Sequence, residues 1–83
     1  MGAATLDEVG VAQLTLVNDG LTADVYRLTT ETEFHQHACA EPSIVRLEPG
    51  DSRTITVASK APVALRVYSE KSGQRVTEHY LAR

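Results

Sequence analysis

Hydrophobic and polar positions alternate with a period of two along most of this chain. In VAQLTLV (11–17), Ala12, Leu14 and Leu16 fall on one side and Gln13 and Thr15 on the other, the pattern of a half-buried strand. TITV (54–57) directs Ile55 and Val57 inward, and VALRVYS (63–69) sets Val63, Leu65 and Val67 against Ala64, Arg66 and Tyr68. SIVRLE (43–48) and QRVTEHYLA (74–82) read as two further strands. In LTADVYRLTTETEF (21–34) the alternation slips, because Ala23 and Val25 share one face whereas Tyr26 and Leu28 share the other. That slip predicts a β-bulge near Arg27 or two short strands meeting at a kink.

Turn chemistry separates these runs. Asn18-Asp19-Gly20 supplies residues tolerant of positive φ. Glu48-Pro49-Gly50-Asp51 fits a type II turn, with proline fixing φ at the second position and glycine accepting positive φ at the third. Ala61-Pro62 breaks the chain again, and Lys71-Ser72-Gly73 makes a hairpin. Six or seven strands at a spacing of about 8–12 residues predict an all-β fold, a small antiparallel β-sandwich or barrel. The expected core is Leu14, Leu16, Val25, Phe34, Val45, Leu47, Ile55, Val57, Leu65 and Val67. The one helical candidate is Thr5 to Val9, capped by Thr5, carrying Asp7 and Glu8 in its first turn and ended by Gly10.

Length limits the organisation. Eighty-three residues make one domain, read as an N-terminal arm at 1–10 and a single sandwich at 11–83. A chain of this size hides roughly 60–65% of its unfolded surface, so its stability margin is thin. One cysteine excludes an internal disulfide and fits a reducing compartment. With 8 basic and 11 acidic side chains and no basic block, the chain lacks the electrostatic footprint of a nucleic-acid binder. Its apolar runs are too short for a membrane span, and MGAATLDEVG carries acids where a secretory signal would carry positive charge. A soluble protein of the cytoplasm or of a virion is the expectation, not one exported by a signal peptide.

The chemistry is concentrated in FHQHACAEP (34–42), which holds two of the three histidines and the only cysteine. If extended, this stretch points His35, His37, Cys39 and Glu41 to one side. Neighbours two apart lie about 6.6 Å from each other and can share an ion, whereas positions four apart lie about 13 Å apart and cannot do so comfortably. A metal site built on His35, His37 and Cys39 therefore needs a further ligand, for which His79 or an acid is the candidate. A Cys39–His37 nucleophile pair is disfavoured, because no glycine elbow or helix N-terminus follows to form an oxyanion site. The remaining reading is a polar connection between sheets, anchored by Phe34. Nucleotide-loop and zinc-hydrolase motifs are absent, and the carboxylates are scattered singly over strands and turns.

The order LTLVNDGLTADVYRL, LEPGDSRTITV and LRVYSEKSG (strand, Asn-containing turn, strand, Pro-Gly turn, glycine hairpin) resembles immunoglobulin-like bacterial accessory modules. It is similar to the C-terminal domains of bacterial phospholipases C and to phage capsid and tail decoration proteins. The likeness spans about 11–81 and lies in turn chemistry, so it carries over no catalytic residue and implies no cofactor. It implies a non-enzymatic structural or interaction module of a larger assembly, with a phage virion decoration or accessory role first. The alternative is a small metal-binding β-domain using the 35–39 cluster. For the first reading the expected partner is a protein or a second copy of the chain. The edges would be 11–17 and 74–82, and the arm would anchor on a neighbour through Leu6 and Val9. On that reading, deletion of 2–9 leaves the sandwich folded.

Overall fold

The computed structural model describes residues 5–82, apart from the side chain of His35. Seven strands follow one another: β1 (Val11–Val17), β2 (Asp24–Thr32), β3 (Ala38–Glu41), β4 (Ile44–Leu47), β5 (Ser52–Ser59), β6 (Val63–Ser69) and β7 (Arg75–Leu81). They form two antiparallel sheets packed face to face, a three-stranded sheet in the order β1-β5-β3 and a four-stranded sheet in the order β4-β2-β6-β7. The fold is thus a small all-β sandwich. Strands adjacent in sequence mostly lie in different sheets, so the long-range pairs β1–β5 and β2–β6 tie the two halves of the chain together.

The cleanest alternations build the core. Ile55 and Val57 of β5 face Val63, Leu65 and Val67 of β6, all at 3% exposure or less. Leu6, Ala12, Tyr26, Leu28, Ala40, Val45, Leu47 and Leu81 complete the buried set, with Leu14 and Leu16 partly buried against it. The turn at 48–51 takes the expected form: Gly50 has φ 84° and the Asp51 amide donates to the Glu48 carbonyl. At the other turn, Asn18 is buried, and its side-chain amide donates to the carbonyls of Thr22 and Leu47 while its side-chain oxygen accepts from Gly20.

Four expectations are corrected. First, β2 has no bulge at Arg27. Its register against β6 runs unbroken from Tyr26–Ser69 to Thr32–Val63, and opposed residues share a face. Because Val63, Leu65 and Val67 point inward, Tyr26 and Leu28 must do so too, and Val25 turns outward beside Arg27. The irregularity lies instead in the β6–β7 pair, between Val67 and Tyr68. Second, Phe34 is 86% exposed. It sits in a single 3₁₀ turn (Glu33–His35) at φ 60°, and the Thr32 hydroxyl donates to the Gln36 carbonyl across that turn.

Third, residues 5–9 form no helix. The Asp7 carboxylate accepts from the amides of Val9 and Val11, which closes a tight turn in place of a first helical turn. Fourth, Leu6 belongs to the chain's own core, at 5% exposure, while Val9 is 78% exposed at the tip of the turn. The Leu6 amide donates to the Ala82 carbonyl just past β7, and the Asp7 amide donates to the Val11 carbonyl of β1. Residues 6 and 7 therefore staple the edge of one sheet to the edge of the other.

Candidate interaction surface

The turn at Glu33–His35 changes the geometry of the histidine–cysteine stretch. His35 lies within the turn, His37 follows outside any strand, and the extended row begins only at Ala38. His37 and Cys39 are both exposed. Among the described residues, no three of His, Cys, Asp and Glu form a group able to hold a metal ion. His79, the candidate further ligand, belongs to β7 and shares a cleft with Leu14 and Leu16 of β1. Cys39 lies at the opposite edge of the sandwich, beside β2 and β4. Two shallow concavities of about 730 and 590 Å³ flank the crossing from β3 to β4, where Glu41 and Pro42 are joined by a cis peptide.

The two outer faces differ in charge. On the four-stranded sheet, Arg66 donates to Glu31 and Glu78, both at 2.6 Å, and the Arg27 guanidinium stands over the Tyr68 ring at 6.0 Å. Those two carboxylates, Glu31 foremost, hold the Arg66 guanidinium above its already high range. Such exposed pairs contribute little stability individually, and here they meet one another's charge within the sheet. On the three-stranded sheet the outward row is Val11, Gln13, Thr15 and Val17 of β1, Thr54, Thr56 and Ala58 of β5, and Cys39 and Glu41 of β3. Glu41 is the one charge in that row.

Each sheet has two edges, and they are not equally guarded. β3 and β4 have four residues each and are joined through Pro42, which has no N–H to offer. β7 carries the register shift together with Arg75 and Glu78. β1 is seven residues long, has no charged side chain and pairs without irregularity. Its hydrogen-bonding sides follow from its ends. The Ser59 amide donates to the Gly10 carbonyl, and the Asn18 amide donates to the Asp51 carbonyl. In an antiparallel ladder the bonded residues alternate, so Ala12, Leu14 and Leu16 bond to β5, and Val11, Gln13, Thr15 and Val17 direct their amides and carbonyls away from it.

Asp7 occupies both groups of Val11, its backbone amide on the carbonyl and its carboxylate on the N–H. Gln13, Thr15 and Val17 remain, and among the described residues no strand lies on that side of β1. Sequence reasoning named this edge together with the one at 74–82. It missed Asp7, whose role depends on a turn read as a helix.

No family model matches the chain, and no curated protein matches it in sequence. Among the described residues, no helix is long and apolar enough to cross a membrane.

Proposed function

We propose that this chain is a non-enzymatic interaction module that joins a larger assembly by backbone pairing at the edge of β1. The observation that carries the reading is the run Gln13–Thr15–Val17, whose amides and carbonyls point outward from an uncharged, regular strand beside the partly buried Leu14 and Leu16. Unpaired edge groups of this kind recruit a further strand unless charge, proline or a bulge guards them. The other long edge, β7, has two of those guards. Within this reading, a virion is the assembly to which the resemblance in strand and turn order points first, with the chain as a decoration or accessory protein.

Amide hydrogen exchange tests it. In dilute isolated protein the amides of Gln13, Thr15 and Val17 should exchange rapidly, whereas those of Leu14 and Leu16 should be protected by β5. In particles recovered from the native source, all five should be protected. Recovery of the chain as a free 9.0 kDa species, with those three amides still exchanging rapidly, would refute the proposal.

A further inference from the structure

We infer that the strand received by β1 is the β1 of a second copy, paired antiparallel about a two-fold axis through Thr15. The inference rests on the edge-pairing reading and names its partner. A two-fold antiparallel joint opposes residues whose numbers have a constant sum, and the groups available on each copy are those of Gln13, Thr15 and Val17. With the sum at 30, Thr15 meets Thr15 and Gln13 meets Val17, twice over. Every open amide and carbonyl on both copies is then used, in six hydrogen bonds. A shift of two residues either way sends one open residue per copy opposite Val11, already engaged by Asp7, or Asp19, beyond the strand. Only four bonds then form.

The same register matches the side chains. Leu14 opposes Leu16 of the second copy, and Leu16 opposes its Leu14, as non-hydrogen-bonded pairs with Cβ atoms about 4.5–5.5 Å apart. These are the two core-facing leucines that the single chain leaves only partly buried, above a cleft of about 70 Å³ between β1 and β7. On the outer face Gln13 meets Val17 and Thr15 meets Thr15, so two chains of net charge −3 meet without like charges opposed in the strand pair. The partner strand ends where Asp7 begins to occupy the edge, so the joint is limited to five residues on each side. Two strands of this length form an interface at or below the small end of the stable class, about 1,200 Å² in total, and the association should be transient.

The position of Thr15 on the axis gives a decisive experiment. Thr15 is exposed, so Thr15→Glu and Thr15→Lys should both fold, as circular dichroism and melting would verify. Sedimentation velocity over a concentration series should show the wild type associating as a dimer. Each variant alone should associate at least tenfold more weakly, because its two like charges stand opposite each other. An equimolar mixture of the Glu and Lys variants should recover dimers, in which opposite charges meet across the axis. A wild type that stays monomeric at millimolar concentration overturns the second-copy inference. It leaves the edge-pairing function standing if Thr15→Pro still abolishes incorporation into the native particle, since Thr15 donates nothing to β5. A dimer that neither charged variant weakens, or that the mixture fails to restore, overturns the register.

Discussion

Leu6→Ala is the substitution that most directly tests how the N-terminal segment is used. Leu6 is 5% exposed and lies in the core, with its amide held by the Ala82 carbonyl. The change removes three carbons, at about 0.8 kcal/mol each, or about 2.4 kcal/mol of transfer free energy. A cavity term adds to this, but Leu6 borders a surface recess of about 240 Å³ beside Lys60, Pro62 and Ala82, into which water and side chains can relax. The cost should therefore fall at about 2–3 kcal/mol, the low part of the range for buried leucine. An unfolding entropy of about 2.1 cal/mol/K per residue over 83 residues is about 0.17 kcal/mol/K. The melting temperature should fall by about 11–17 °C, followed by circular dichroism at one fixed concentration. Val9→Ala, at a position 78% exposed, should move it by no more than about 3 °C. A Leu6→Ala melt within 3 °C of wild type would show that the segment does not close the core. Deletion of 2–9 removes Leu6 and Asp7 together and should cost at least as much as Leu6→Ala, whereas an arm idle in the fold would leave the melting temperature unchanged.

A Cβ on Gly10, at φ 85°, would stand 2.2 Å from the Ser59 carbonyl oxygen, whereas one on Gly50, at φ 84°, would meet nothing within 4 Å. Gly50→Ala should therefore cost only the left-handed backbone term of about 1–2 kcal/mol, and Gly10→Ala clearly more; equal urea midpoints would refute the difference. The Ser69 hydroxyl donating to Asp24, aided by the amides of Lys71 and Val25, holds the Asp24 carboxyl below its ordinary 3.8. Its contribution is fully present above that value and is lost as the pH falls through the lower folded one, so the stability gap between wild type and Asp24→Asn should narrow on acidification below pH 4. A gap that widens there would overturn the assignment. Asn18→Leu would strip the partners from the Thr22 and Leu47 carbonyls and the Gly20 amide, at roughly 1–3 kcal/mol for each group left buried. Asp19→Ala, at an exposed neighbour, should be nearly silent in the same denaturation assay.

Alternation was a reliable guide where one face of a strand is fully buried. β5 and β6 show it, because Ile55, Val57, Val63, Leu65 and Val67 have no alternative side to occupy. β2 misled because Ala23 precedes the strand and Val25 is apolar on an outer face, so two small hydrophobic residues mimicked a register that β6 does not permit. Phe34 misled for a different reason. Its hydrophobicity implies burial, but the core at that end is already closed by Leu6, Val63 and Leu81, and the chain must turn between sheets at that point. The histidine row failed with it, since a turn at 33–35 removes His35 from the strand.

The edge was legible for a physical reason. β1 carries no charged side chain, and an edge strand without charge to guard it is visible as such in the sequence. The limits of that edge were not legible, because they are set by tertiary hydrogen bonds. At one end Asp7 reaches across a four-residue turn to both groups of Val11. At the other, Asn18 turns its backbone amide to Asp51 and its side chain to Thr22 and Leu47, drawing the chain away from the edge. Between these two polar residues lie three open rungs, an odd number, which places a residue and not a gap on any two-fold axis through their centre. The same short N-terminal segment thus performs two tasks. Leu6 completes the core, and Asp7 fixes where the exposed edge begins, so the length available for pairing is set by the fold itself.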